Sequence, residues 1–184
     1  MGRDKALLDV GGRILLSRQI ALSREVGASE VFISGRADAD YSMFGCRVVQ
    51  DQFHEAGPLA GIEAAFEVTN SELLLVLAVD MPAINSMLIR RFVDGCTAEC
   101  GVIPRTKDGV EPLAAIYPKA ACGRLRSELQ TGRAPGVRWF AQECVETGLA
   151  KFLDMSEQES GCLISVNSPE MVNDFLSKAG SSAG

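Results

Sequence analysis

The sequence contains a single histidine, and this scarcity limits the catalytic chemistry that it can support. A Ser–His–Asp triad would have to use His54, and no Gly-x-Ser-x-Gly elbow accompanies it. His54 is more simply interpreted as a loop residue. Hydrolysis through an activated serine is therefore not indicated.

Closely spaced cysteines are also missing. The six cysteines are scattered, and no two of them form a Cys-x-x-Cys motif. Cys96 and Cys100 could share a helix face as metal ligands, but the one histidine lies far away in the sequence. Since no signal peptide is recognisable either, we expect reduced thiols in a cytoplasmic protein.

Long apolar runs and excess positive charge are both absent. The longest apolar run, residues 73–79, is far shorter than the roughly 20 residues of a membrane-spanning helix. Lys and Arg total 18 against 24 Asp and Glu, so the formal net charge is −6. An acidic surface repels polyphosphate at long range. We therefore expect a soluble protein that binds neither membranes nor nucleic acid, while a local site for a small phosphorylated ligand stays open.

What the sequence does contain is an alternation of predicted strands and helices. Strands are predicted over 30–34, 46–49, 73–79, 101–104, 112–117, 150–153 and 163–166, and helices over 14–26, 58–66, 86–93, 119–129, 137–143 and 168–178. Residues 73–79 are apolar throughout, which is typical of a strand covered by helices on both faces. No repeat or linker divides the chain. We predict a single α/β domain with a three-layer, doubly wound, mostly parallel sheet.

The strongest functional candidate in this arrangement is Asp80. In doubly wound sheets, ligands bind beyond the carboxyl ends of the strands. Asp80 follows the apolar run and precedes Met81 and Pro82, so its carboxylate stands at the end of a buried strand. Such a carboxylate needs water, hydrogen bonds or a cation. The alternative is that Asp80 only caps its loop or the helix that we expect Ser86 to cap.

Two further candidates involve loops. Segment 57–61, Gly-Pro-Leu-Ala-Gly, combines a flexible residue, a rigid residue and a helix start, whose amides can bind an anion or a base edge. The same segment is also compatible with an ordinary strand-to-helix connection. Lys5 lies in a short charged cluster near the start of the sequence and could contact phosphate or only be solvated.

Five short segments carry a more specific signal when they are taken together. They are Met-Gly-Arg-Asp-Lys-Ala-Leu-Leu (1–8), Gly-Pro-Leu-Ala-Gly-Ile (57–62), Val-Asp-Met-Pro (79–82), Glu-Pro-Leu-Ala-Ala-Ile-Tyr (111–117) and Val-Asn-Ser-Pro-Glu (166–170). In order and spacing, along nearly the whole chain, the sequence resembles the molybdenum cofactor guanylyltransferase family. The related cytidylyltransferases of molybdopterin and of isoprenoid precursors usually differ at 57–62.

The resemblance implies a Rossmann-like nucleotidyltransferase fold. It also implies transfer of GMP from GTP to molybdenum-bound molybdopterin, with release of pyrophosphate and transient contact with molybdoenzymes or their chaperones. Lys5 is then expected to contact the nucleotide phosphates, and Asp80 to hold Mg²⁺, the expected cofactor. The expected substrate contacts are Asp51, Gly57, Pro58, Leu59 and Gly61 for the guanosine and Asn167 for the pterin side.

The sequence departs from the family at its start. The family begins with a hydrophobic strand and a Leu-Ala-Gly-Gly type loop, whereas this sequence begins at the Met-Gly-x-Asp-Lys end of that motif. The resemblance thus implies that a central strand between the segments of Val31 and Leu75 is absent from it. We expect an N-terminally incomplete nucleotidyltransferase-like domain, residues 1–179, and a flexible tail, residues 180–184. A non-catalytic nucleotide- or cofactor-binding homologue and a molybdopterin cytidylyltransferase stay open as alternatives.

Overall fold

The fold is known from a computed structural model that describes residues 5–9, 12–35, 39–53, 56–133 and 135–166. Of Lys5, only the backbone is described. His54, Asn167, the expected last helix and the expected tail lie outside these residues.

Helices and strands alternate along the described chain, as the sequence predicts. The strands are β1 Phe32–Ser34, β2 Arg47–Val49, β3 Leu73–Leu77, β4 Gly101–Thr106, β5 Gly109–Val110, β6 Ala114–Pro118 and β7 Ala150–Asp154. The α-helices are α1 Leu15–Glu25, α2 Pro58–Val68, α3 Ser86–Gly95, α4 Cys122–Gln130, α5 Val137–Glu146 and α6 Glu157–Cys162. Short 3₁₀ turns cover Lys5–Leu7, Ser42–Phe44 and Lys119–Ala121. The short strand β5 and the helix α6 were not expected from the sequence.

The described strands form two sheets. β1 and β2 pair in parallel. In the larger sheet, β6 runs antiparallel to β3 and β4, while β4 also pairs with β5 in antiparallel and with β7 in parallel. The predicted α/β class is confirmed, but the described pairing is mixed instead of mostly parallel. The connection from Thr106 to Ala114 is too short for a parallel crossover, which needs about a dozen residues or more.

Alternation of side chains along the larger sheet builds a core on each of its faces. On β4, Ile103 packs in the cluster under α2, α4 and α5, whereas Val102 packs in the cluster under α3. On β3, residues 74 and 76 contact the first cluster and residues 73, 75 and 77 contact the second. Successive residues of a strand point to opposite faces. The strand is therefore apolar at every position because both of its faces are covered.

The prediction that Ser86 caps α3 is wrong. Asn85, and not Ser86, is the N-cap residue, since its side chain accepts a hydrogen bond from the Leu88 amide at 3.0 Å. Asn is among the preferred N-cap residues because its side-chain oxygen satisfies an amide of the first turn. The alternative role of Asp80 as the cap of this helix is therefore not observed.

The strand predicted over residues 163–166 is also wrong. Leu163 is the C-cap of α6. Val166 donates one backbone hydrogen bond, to the Asp80 carbonyl at 2.7 Å. One such bond does not make a strand ladder, but it ties this end of the described chain to the end of β3.

A cleft of about 650 Å³ separates β1 from β3. Within the described residues, β1 pairs only with β2 and β3 pairs only with β6. The walls of the cleft are mainly apolar and include Leu16 and Ile20 of α1 and Ile62 of α2. The family resemblance places a central strand between these same two segments, and that strand stays a prediction.

A buried carboxylate joins α2 to α4. Glu63 is fully buried, and its Oε1 accepts a hydrogen bond from the Arg126 Nε at 2.7 Å. The Arg126 guanidinium also lies 2.7 Å from Glu67, and this hydrogen bond lowers the pKa of the Glu67 carboxyl. A buried carboxylate is strongly destabilising when its cationic partner is removed. Arg126 therefore stabilises the packing of these two helices.

We expect Arg126→Met to destabilise the fold, because Glu63 then stays buried without its cation, at a cost of about 3 kcal/mol. Arg124→Met is the matched control on the same helix. Arg124 is 47% exposed and pairs with Glu143 at the surface, so this change should have little effect. Urea unfolding measures both variants. Equal losses would show that Glu63 does not depend on Arg126.

The same variant should also change the acid stability. The pKa of Glu67 is lowered in the folded state, so its contribution to stability is complete at neutral pH and is lost as the pH falls through that lowered pKa. Arg126→Met removes the cause of the lowered pKa, and the corresponding loss of stability in acid should disappear.

Candidate functional site

The turn that follows β3 brings Asp80 to the cleft. β3 ends at Leu77, and Asp80 is partly buried among the residues that line the cleft. The turn is held at both ends by backbone hydrogen bonds. The Ala78 amide donates to the Leu113 carbonyl at 2.7 Å, and the Asp80 carbonyl accepts from Val166. The carboxylate therefore stands just after a strand whose residues are partly buried, where the apolar run of the sequence indicates it.

Gln19 of α1 contacts the same turn from the opposite side. Its side chain is buried, with 4% exposure, and its Nε2 donates to the carbonyls of Ala78 at 3.2 Å and Met81 at 3.1 Å. The sequence alone did not predict a role for Gln19. It shows only a polar residue between the apolar positions of a helix, and this pattern does not indicate which backbone groups the side chain binds.

The start of α2 forms another wall of the site. Gly57 precedes the helix with a φ of +56°, in the left-handed region that favours glycine, and Pro58 occupies the first helical position. Among the described residues, no side chain caps the helix, so its first-turn amides can receive a ligand. Pro58 lines the cleft, whereas the side chain of Leu59 is fully buried in the core. Any contribution of Leu59 to binding therefore comes from its backbone.

Gly61 brings α2 into direct contact with the end of β1. A Cβ atom at Gly61 would lie 2.0 Å from the Ser34 Oγ and 2.7 Å from the Ser34 Cβ. The hydroxyl could rotate away, but the Cβ of Ser34 is fixed to the strand. The same Cβ position would lie 3.6 Å from the Oδ1 of Asp51, which is the second residue after β2. Ser34, Asp51 and Gly61 therefore meet where β1 and β2 end.

The structure thus brings together most of the described candidate residues. Asp80, Pro58 and Gly61 line one cleft, and Asp51 lies beside Gly61. Lys5 belongs to a 3₁₀ turn whose next residue, Ala6, is buried in a cluster against which Val79 also packs. Asn167 lies outside the described residues.

A second carboxylate, Glu111, interacts electrostatically with Asp80. Partial burial raises the pKa of the Glu111 carboxyl. The positive charge of Arg138 lowers this pKa, and the negative charge of Asp80 raises it further. Glu111 lies in the quoted segment 111–117, but the sequence analysis assigned it no role. Two neighbouring acidic residues repel each other unless a cation or a proton intervenes.

The position of Asp80 fits Mg²⁺. The ion is commonly held by one or two carboxylates together with substrate phosphates and water. Among the residues that the structure describes, no group of three or more His, Cys, Asp or Glu could hold a metal. Asp80 therefore suits an ion that takes its remaining ligands from a nucleotide and water. For Cys96, burial raises the thiol pKa to about 11, which disfavours the thiolate that a metal site would need.

Comparison with known proteins decides the family. The MobA-like NTP transferase domain matches residues 1–147. This chain belongs to that family. The family resemblance of the sequence is confirmed, and with it the nucleotidyltransferase class of the enzyme.

Curated relatives support the same family over most of the chain. A probable molybdenum cofactor guanylyltransferase of Opitutus terrae is 37% identical over 173 residues, which cover 92% of this chain and 85% of that protein. A molybdenum cofactor guanylyltransferase of Ectopseudomonas mendocina is 29% identical over 172 residues, covering 93% of this chain and 82% of that protein.

Solved structures share the fold. Molybdopterin-guanine dinucleotide biosynthesis protein A of Archaeoglobus fulgidus aligns with a TM-score of 0.75 and 19% identity, over 98% of this chain and 92% of its own. The 2-C-methyl-D-erythritol 4-phosphate cytidylyltransferase of Thermus thermophilus aligns with a TM-score of 0.72 and 18% identity, over 95% and 93%. At these identities the likeness concerns the fold alone, and it confirms the Rossmann-like nucleotidyltransferase fold.

In the described part of the chain, no helix is long and apolar enough to span a membrane.

We expect Gly61→Ala to destabilise the protein by about 1–3 kcal/mol, because the new Cβ overpacks the contact with Ser34. Gly123→Ala is the matched control, since Gly123 is also helical but has no atom within 4 Å of an added Cβ. The control should be neutral or slightly stabilising, because alanine favours the helix. Thermal unfolding of both variants, and of Gly61→Ala combined with Ser34→Gly, measures the contact. If the second change rescues nothing, the Ser34 contact is not the cause.

Proposed function

We propose that this chain transfers GMP from GTP to molybdenum-bound molybdopterin, forming the guanine dinucleotide cofactor and releasing pyrophosphate. The proposal is supported by the family and by the names of the relatives, above all the one at 37% identity over 92% of the chain. It explains why an acidic protein has a carboxylate and a helix start without a described side-chain cap at the carboxyl ends of its strands.

The observation that carries the proposal is the meeting of three segments that are far apart in the sequence. Asp80 follows β3, Asp51 follows β2, and Gly61 lies in the second turn of α2 beside the end of β1. All three are at the carboxyl ends of strands, where ligands bind in this class of fold. A nucleotide bound across these strand ends is therefore proposed to place its phosphates near Asp80 and its base near Asp51.

The proposed reaction is one displacement at phosphorus. An oxygen of the molybdopterin phosphate forms a bond to the α-phosphorus of GTP, and the bond from this phosphorus to the bridging oxygen of the β-phosphate breaks. The electron pair of the broken bond leaves with pyrophosphate. Such a reaction depends mainly on alignment and on neutralisation of charge, and it needs no strong base.

Asp80, which interacts electrostatically with Glu111, would hold Mg²⁺ in this proposal. When bound, the ion would neutralise the phosphate oxygens and the departing pyrophosphate. Lys5 is proposed to contact the triphosphate as a point charge. Asn167 is proposed to contact the pterin side, since the adjacent Val166 is hydrogen-bonded to the Asp80 turn.

Asp51 and the start of α2 are proposed to bind the guanine base. The Watson–Crick edge of guanine presents N–H donors, which suit a carboxylate acceptor, and the O6 acceptor, which suits the backbone amides at the start of α2. Cytosine presents a different set of donors and acceptors on that edge. The same residues should therefore distinguish GTP from CTP.

We expect Asp80→Asn to lower Mg²⁺-dependent pyrophosphate release from GTP and molybdenum-loaded molybdopterin by more than about 100-fold, the upper range for loss of an outer metal contact. The change keeps the shape of the side chain and removes its charge. Asp94→Asn, at the exposed far end of α3, is the control and should retain full activity.

Unchanged turnover of Asp80→Asn would remove the metal assignment. Absence of pyrophosphate release from the unaltered protein, together with retained binding of the cofactor, would favour the non-catalytic alternative.

We expect GTP to be used in preference to CTP by at least about tenfold when the two compete, because a guanine-binding carboxylate leaves cytosine imperfectly paired. Asp51→Asn should reduce this preference while leaving the Mg²⁺ dependence unchanged. Measurement of the two dinucleotide products from an equimolar mixture tests both statements. Preference for CTP would identify the cytidylyltransferase alternative instead.

A further inference from the structure

Gln19 differs from its neighbours on α1, because it is a buried polar residue on a face that otherwise packs through Leu16 and Ile20. Its Nε2 makes two hydrogen bonds, and both acceptors belong to the turn that carries Asp80. Within the described residues, its Oε1 is buried and has no hydrogen-bond partner. A buried amide with one unsatisfied atom is costly, and an apolar residue of the same size would avoid that cost.

The two acceptors lie on either side of Asp80. The Ala78 carbonyl is two residues before it, and the Met81 carbonyl directly follows it. One side-chain nitrogen thus bridges the two ends of the short segment that places the carboxylate. Since α1 also packs on β1, the bridge connects this segment to the other wall of the cleft.

Backbone hydrogen bonds also hold the turn. The Ala78 amide donates to the Leu113 carbonyl, the Asp80 carbonyl accepts from Val166, and the Met81 carbonyl accepts from the Ile84 amide at 3.3 Å. Gln19 adds two side-chain hydrogen bonds, which come from α1 on the side of β1.

We propose that Gln19 is a positioning residue that fixes the Asp80 turn in the conformation that binds the metal–nucleotide complex. The inference rests on the proposed function, because it takes Asp80 as the metal-binding residue. Gln19 does not touch the substrate in this proposal. It acts through the backbone, as the groups behind a metal ligand commonly do.

Gln19→Met tests the proposal, because methionine has a similar length and cannot donate a hydrogen bond. The change removes the unsatisfied Oε1 together with the two donated hydrogen bonds, so the loss of folding stability should stay small. Arg18→Met is the matched control. Arg18 directly precedes Gln19 on α1, is exposed and is not among the residues that line the cleft.

Two measurements on the full chain separate positioning from a general effect on folding. The first is the binding of Mn²⁺ in the presence of GTP, followed by electron paramagnetic resonance, with Mn²⁺ standing in for Mg²⁺ because both prefer oxygen ligands. The second is amide hydrogen exchange at residues 79–81, which needs neither metal nor nucleotide.

We expect Gln19→Met to weaken Mn²⁺ binding roughly tenfold and to speed amide exchange in the turn, with Arg18→Met unchanged in both. If methionine prevents folding, Gln19→Asn replaces it, because its shorter amide cannot reach both carbonyls. If a folded Gln19 variant binds Mn²⁺ as tightly as the wild-type protein, while Asp80→Asn does not bind it, the inference about Gln19 is wrong. Retained Mn²⁺ binding by Asp80→Asn would instead overturn the metal assignment, and the inference with it.

Discussion

The close contact between Gly61 and Ser34 fixes the geometry on which the rest of the site depends. Because Gly61 has no Cβ, the first turns of α2 lie directly against the end of β1 and beside Asp51. A helix set further from the strand would move both its uncapped amides and the wall that it contributes to the cleft. Leu59 and Ile62, on the same helix, are buried in the core and hold it in this position. The geometry of the candidate site therefore depends on the absence of one methyl group.

Two buried polar side chains connect elements that apolar packing alone would leave less well defined. Glu63 links α2 to α4 through Arg126, and Gln19 links α1 to the turn after β3. Each leaves one oxygen without a hydrogen-bond partner in the described chain. Buried polar groups are costly unless their partners are in place, so they favour one arrangement of helices over its alternatives. In both cases the partner comes from a distant part of the sequence.

The elements and the position of Asp80 followed from local patterns, whereas the pairings did not. The apolar run 73–79 predicts a strand covered on both faces, because side-chain alternation is a local property. The antiparallel direction of β6 depends on the length of the connection after β4, which is too short for a parallel crossover. Asn85 displaced Ser86 as the cap, since both are good capping residues and only the backbone conformation selects between them. Gln19 was missed because its partners are backbone carbonyls, which every residue possesses.

The cleft between β1 and β3 has a consequence for the cooperativity of the molecule. Within the described residues, the small sheet shares no strand ladder with the large one, so helices and their side chains transmit stability between the two parts. Regions with fewer such links open at lower free energy than the core. In the described residues, the spacing between Asp51, which follows β2, and Asp80, which follows β3, therefore depends on the helices that contact both sheets.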